Sequence, residues 1–71
     1  MTGGAQGAFL ALVKKLMELD NAGHEVWLGW NGRDGYVSFS AGEYMVRNIR
    51  ATSGDISVAL EGLRRNFGGK K

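Results

Sequence analysis

The sequence predicts an α+β domain in the order α-β-β-β-α, in which a three-stranded antiparallel sheet carries both helices on one face. Apolar residues recur at helical spacing near both ends of the chain, and they alternate with polar residues in the segment between. The chain has 71 residues, so we expect a single domain over 1–71. Glycine-rich residues 1–5 and residues 68–71 are expected to be flexible.

The first helix is predicted over residues 6–21. Asn21-Ala22-Gly23 is a typical helix end, because glycine adopts the left-handed conformation there without a steric penalty. The stripe expected to be buried is formed by Phe9, Leu12, Val13 and Leu16, and Met17 and Leu19 widen it.

Two alternating segments, 24–30 and 36–40, flank a cluster of turn residues and predict a β-hairpin. A turn centred between Arg33 and Asp34 places all the large apolar side chains of the hairpin on one face. A shift of one residue would split them between the two faces, which burial disfavours. The predicted pairs are therefore Trp30 with Val37 and Leu28 with Phe39.

Residues 43–49 fit either a third strand or a helix. The helix is supported by the capping-box spacing of Ser40 and Glu43. We favour the strand, because it continues the apolar face and because Gly42 weakens a helix start. An Ala41-Gly42 turn then predicts the pairs Phe39–Tyr44, Val37–Val46, Tyr36–Arg47 and Ser38–Met45.

The last helix is predicted to begin at Thr52-Ser53-Gly54-Asp55, with Ser53 as the hydroxyl cap and Asp55 favourable in the first turn. Its apolar residues form the clearest helical stripe of the chain: Ile56, Ala59, Leu60, Leu63 and Phe67.

The composition argues against catalysis. The chain has no cysteine and one histidine, and its seven acidic residues are scattered, so we expect no enzyme, no metal, no cofactor and no small-molecule substrate. There is no apolar run of about 18 residues, and the start does not resemble a secretory signal. We therefore expect a cytoplasmic protein with no membrane partner.

The sheet face away from the helices is the candidate site. Trp, Tyr, Met and Arg are enriched at the centres of protein interfaces, and an exposed patch of them usually marks a contact surface. The alternative is that Trp27 is covered locally by long side chains and the N-terminal residues. We expect an adaptor or inhibitor that binds a partner protein or a second copy of itself through Trp27, Tyr36, Met45, Arg47 and Ile49.

Nucleic-acid binding is the alternative function, because charge is distributed unevenly. Residues 1–46 have a net charge of −2 and residues 47–71 a net charge of +4. A basic surface attracts phosphates. The residues that would contact nucleic acid are Arg47, Arg50, Arg64, Arg65, Lys70 and Lys71.

Three resemblances point to small accessory proteins of phage or mobile-element type. The element order resembles the double-stranded RNA-binding domain, but residues 52–56 lack the lysines with which that family grips phosphates, so only the topology is implied. The segments 35–39 and 54–60 are similar to HicB-like antitoxin domains. Residues 42–47 (Gly-Glu-Tyr-Met-Val-Arg) resemble a segment of phage tail tape-measure proteins.

Overall fold

The predicted class and element order are confirmed. The computed structural model describes residues 3–67, and the expected flexibility of 1–2 and 68–71 concerns residues outside that range. The elements are α1 (Gly3–Asn21), β1 (Val26–Asn31), β2 (Tyr36–Ala41), β3 (Tyr44–Arg50) and α2 (Ser53–Phe67). The strands form one antiparallel sheet in the order β1-β2-β3.

Helix α1 begins three residues before the predicted start. Residues 3–5, which we expected to be flexible, are helical, and Ala5 is buried. The helix ends as predicted, at Asn21. Gly23 has a φ of +98°. Its N–H donates to the Asp20 carbonyl, and the His24 N–H donates to the Leu19 carbonyl. These two bonds are those of a Schellman motif, which turns the chain sharply into β1.

The predicted β1–β2 register is confirmed, with Trp30 opposite Val37 and Leu28 opposite Phe39. The turn is held by Asn31, whose side-chain oxygen accepts a hydrogen bond from the Asp34 N–H at 3.1 Å. The main-chain carbonyl of Asn31 also accepts from the Gly35 N–H at 2.8 Å. Gly35 has a φ of +75°, a conformation that glycine adopts without strain.

Residues 44–50 form a strand, as favoured, but the predicted β2–β3 register is wrong by two residues. Ala41 pairs with Tyr44, so the turn consists of Gly42 and Glu43 and not of Ala41 and Gly42. Gly42 has a φ of +59°, which a type II′ turn requires at its first central residue. The observed pairs are Phe39–Val46, Ser40–Met45, Val37–Ile49 and Tyr36–Arg50 in place of Phe39–Tyr44, Ser38–Met45, Val37–Val46 and Tyr36–Arg47.

A β-bulge near Asn48 places the residues after it on the opposite face of the sheet from the one that a regular strand would give them. The register shifts between Val37 and Phe39, and Asn48 adopts a left-handed φ of +54°. The Asn48 N–H donates to the Ser38 hydroxyl oxygen at 3.0 Å. The bulge places Ile49 opposite Val37 and against the core. The prediction that Ile49 lies on the face away from the helices is therefore wrong.

The core lies between the helices and one face of the sheet. Val37, Phe39 and Ala41 of β2 form one buried cluster with residues of both helices. We call this side of the sheet the inner face. The helices contribute the remaining buried members: Leu12, Leu16, Leu19, Ile56, Ala59, Leu60 and Leu63.

Trp30 departs from the expected burial. It lies on the inner face, opposite Val37, but 53% of its surface is exposed. It contacts Phe9 of α1, with ring centroids 5.5 Å apart. Because β1 is an edge strand, the helices cover Trp30 only in part.

Candidate functional site

The outer face of the sheet, opposite the helices, is the candidate site. Its side chains form three rows across β1, β2 and β3, set by the observed pairing. The first row is Trp27, Ser40 and Met45, and the third is Asn31, Tyr36 and Arg50. In the second row Gly29 pairs with Ser38, and Arg47 lies beside them at the bulge, where no β3 residue pairs with Ser38. Small residues occupy the middle of the first two rows, between Trp27 on one side and Met45 and Arg47 on the other, and we call this strip the trough: Ser40, Ser38 and Gly29.

Trp27 covers part of this trough. Its indole lies over Gly29, where an added Cβ would lie 2.6 Å from Cη2 of the ring. The indole remains 57% exposed. The described residues therefore do not support the alternative in which other side chains cover Trp27.

Met45 and Arg47 form the opposite side of the trough. Met45 is 56% exposed, and the Nε–H of Arg47 donates to its sulfur at 3.2 Å. This contact holds a cationic group beside an apolar one, a combination found at the centre of many protein interfaces.

Tyr36 closes the trough at the end near the β1–β2 turn. It borders a groove of about 690 Å³, and its side chain is exposed. The Asn31 side-chain amide donates to the Asp34 carboxylate at 2.9 Å and so fixes one rim of this groove. The residues lining the groove are Gly29, Trp30, Asn31, Asp34, Tyr36 and Asn48.

The structure thus places four of the five predicted contact residues on one face: Trp27, Tyr36, Met45 and Arg47. Ile49 is excluded, because the bulge directs it to the core. Sequence reasoning did not single out Leu10, and its prediction that Met17 widens the buried stripe of α1 is wrong. Both residues are exposed, because a wide apolar stripe does not reveal which of its residues reach the core. Their spacing of seven residues was the only available signal.

The basic residues are divided between two distant places. Arg47 and Arg50 lie on β3, whereas Arg64 and Arg65 lie in the last turn of α2. At 1.5 Å per helical residue, Arg64 lies roughly 18 Å along the helix axis from Thr52, which comes shortly after β3. The predicted contacts Lys70 and Lys71 lie outside the described residues.

The strands carry no acidic residue: no aspartate or glutamate occurs in Val26–Asn31, Tyr36–Ala41 or Tyr44–Arg50. Within residues 3–67, no group of three His, Cys, Asp or Glu side chains is placed to hold a metal ion. His24, the single histidine, contacts the ring of Phe67, with centroids 4.7 Å apart.

No helix in the described part of the chain has the length and apolar character needed to cross a membrane. Comparisons with protein-family models, with curated proteins and with solved structures found no match to this chain.

Proposed function

We propose that this chain is a non-enzymatic protein-binding module that docks a partner protein on the outer face of its sheet. The observation that carries the proposal is that Trp27 and Met45, both more than half exposed, flank a floor of small residues. Fully burying anchors of this size contributes about 2–4 kcal/mol each at the best sites. An uncovered face of this composition is typical of a contact surface.

The charges of the outer face favour a partner that carries acidic residues. The strands carry Arg47 and Arg50 and no carboxylate. A partner segment that presents apolar side chains with acidic residues beside them would fill the trough and neutralise Arg47. Complementary charges of this kind mainly raise specificity and the association rate.

We further propose a role as an adaptor or inhibitor of phage or mobile-element type, which rests on the sequence resemblances described above. We place this role in the cytoplasm. The proposal needs no cofactor and no small-molecule substrate.

The test is selection from a displayed random peptide library on the immobilised full chain. We expect enrichment of peptides that combine acidic and large apolar residues. Affinity is then measured by fluorescence anisotropy with a labelled selected peptide. Met45→Ala and Arg47→Glu should each weaken binding about tenfold or more, since each removes an interaction worth at least about 1.4 kcal/mol.

Val58→Ala is the matched control, because Val58 is 73% exposed on α2, on the helix side of the sheet and not on its outer face. It should leave the affinity unchanged. Enrichment of no peptide class, or an equal loss in the Val58→Ala variant, would contradict the proposal.

Nucleic-acid binding remains the second candidate, favoured by the position of Arg47 on the same face as Trp27 and Tyr36, where bases would stack. Salt separates the two functions. Phosphate contacts make affinity fall steeply, by roughly 10³-fold or more between about 50 and 200 mM salt when six or more contacts form. Tight, salt-sensitive binding of a mixed-sequence oligonucleotide, weakened by Arg47→Ala, would favour this function over protein binding.

A further inference from the structure

The two edges of the sheet differ in a way that bears on self-association. The β3 edge carries Arg47 and Arg50 and is bent by the bulge at Asn48, and all of these features discourage pairing with another strand. The β1 edge, Val26–Asn31, has no charged residue, no proline and no bulge. Within residues 3–67 no strand pairs with this edge. An open, apolar edge strand is a template for a further strand.

The hydrogen-bonding groups that face this edge can be assigned. The Gly42 N–H donates to the Glu25 carbonyl at 2.9 Å, so Glu25 belongs to a hydrogen-bonded pair. Such pairs alternate along an antiparallel ladder. The odd-numbered residues of β1 therefore bond to β2, whereas Val26, Leu28 and Trp30 direct their main-chain N–H and carbonyl groups away from it.

We infer that the β1 edge pairs with the β1 edge of a second copy of this chain, antiparallel about a two-fold axis at Leu28. This inference goes beyond the proposed function, since it concerns the β1 edge of the sheet; Trp27 and Gly29 belong to both surfaces, whereas Met45 and Arg47 belong to the outer face alone. The result is a continuous six-stranded sheet with all four helices on one side.

The register follows from symmetry. A two-fold axis perpendicular to the sheet pairs even-numbered residues with even-numbered residues. With the axis at Leu28, Val26 bonds to Trp30 of the second copy and Leu28 bonds to its counterpart, so that every outward group of β1 is satisfied. An axis at Trp27 or Gly29 leaves part of this set without a partner in β1.

The same register matches side-chain sizes across the seam, by which we mean the line along which the two β1 strands pair. Trp27 comes to lie opposite Gly29 of the second copy, and Gly29 opposite its Trp27. Each Gly29 already lies under the indole of its own Trp27, and a glycine opposite that ring leaves room for it across the seam. No charged residue of β1 meets a like charge, whereas pairing of two β3 edges would bring arginines together.

Helix α1 adds apolar surface beside the seam. Its residues Leu10, Val13 and Met17 succeed one another at helical spacing on the side toward β1, and Val13 and Met17 line a groove of about 190 Å³ with Val26, Trp27 and Leu28. The one charged residue lining this groove is Asp20. Leu10 and Met17 are each about 60% exposed.

The area is sufficient for a stable pair. The smallest specific interfaces take about 600 Å² from each partner, about an eighth of the 4670 Å² surface of this chain. Trp27 and Trp30, each more than half exposed, together supply about 250 Å². The remaining area would come from the main chain of β1 and from the exposed α1 residues Leu10 and Met17 beside it.

The first test is the mass of the full chain in solution, by sedimentation velocity over a range of concentrations. We expect a species of twice 7.7 kDa that dissociates on dilution. Met17→Lys, which places a charge in the seam, should raise the dissociation constant about tenfold or more. Val26→Pro should do the same, because it removes an outward N–H and proline is tolerated at the first residue of an edge strand. Val58→Lys, on the exposed side of α2, is the control and should leave the dissociation constant unchanged.

The second test is hydrogen exchange of the three outward amides, Val26, Leu28 and Trp30. We expect protection in the wild type that is lost on dilution and in Met17→Lys. A monomer at all concentrations, or a dimer unaffected by both variants, would overturn the inference. Protection of these amides in a monomer would mean that another segment covers the β1 edge, and that result would also overturn the inference. Each of these results leaves the peptide-binding test of the outer face unaffected, since that test rests on Met45 and Arg47.

Discussion

At the scale of single residues, the position of the Trp27 indole depends on residue 29 being glycine, which has no Cβ. Trp27 lies across Gly29, and a Cβ there would meet two ring carbons at 2.6 and 2.8 Å. Real side chains do not approach so closely, so either the ring or the strand must move. Because the ring is exposed and flexible, we expect the ring to move.

Gly29→Ala should therefore displace the Trp27 indole into solvent while the fold persists. The expected readouts are a red shift of tryptophan emission and a loss of affinity for outer-face ligands. Gly54→Ala is the control, because a Cβ at Gly54 meets nothing within 4 Å. In the first turn of α2 it should add about 0.5–1 kcal/mol of stability without changing the emission. An unshifted emission spectrum in Gly29→Ala would show that the indole does not need this space.

At the scale of elements, the register of the β1–β2 hairpin was predictable from the sequence, but that of the β2–β3 hairpin was not. In the first, the large apolar residues of both strands occupy alternate positions, so only one register buries them together. In the second, a shift of two residues preserves the inner face, and the alternation of Tyr44 and Val46 cannot distinguish the two registers. The deciding factor is the positive φ of Gly42, which places this residue first in the turn.

The misplacement of Ile49 has a different physical cause. Reading β3 as a regular strand puts Ile49 on the outer face with Met45 and Arg47. The bulge at Asn48 adds a residue and so directs Ile49 to the opposite face. Asparagine tolerates the left-handed conformation better than most residues, but its presence alone does not indicate a bulge. The hydrogen bond from its N–H to the Ser38 hydroxyl depends on tertiary structure that local sequence does not contain.

The cap of α2 provides a test at this scale. The sequence suggests Ser53 as the capping residue, whereas the structure assigns this role to Thr52. The Asp55 N–H donates to the Thr52 hydroxyl oxygen at 3.2 Å, and the Ile56 N–H donates to the Thr52 carbonyl at 3.0 Å.

Thr52→Ala should therefore lower the free energy of unfolding by about 0.5–2 kcal/mol, measured by urea denaturation. Ser53→Ala changes the adjacent hydroxyl residue and should cost no more than a few tenths of a kcal/mol, because Ser53 is the first helical residue and alanine favours a helix. A larger loss in the free energy of unfolding for Ser53→Ala than for Thr52→Ala would instead identify Ser53 as the cap.

At the scale of the whole molecule, a chain of 71 residues has little stability to spare. A domain of this size buries only about 60–65% of the surface that its unfolded chain exposes. Its core depends on a few residues, among them Phe39, Leu12, Ile56 and Leu63, which are fully buried. Any association that binds only the folded form adds stability by mass action.

Pairing through the β1 edge would make the stability of a weakened core depend on concentration. Leu60, 6% exposed, belongs to the buried cluster, and Leu60→Ala should cost about 2–5 kcal/mol, enough to bring a small domain near its unfolding transition. If the chain pairs in this way, the Tm of Leu60→Ala should rise with protein concentration, and Met17→Lys in the same background should abolish that rise. Val58→Ala, exposed on the same helix, should leave the Tm nearly unchanged. A large loss in Leu60→Ala with a Tm independent of concentration would confirm the core and contradict the pairing, because association of the folded form makes the Tm depend on concentration.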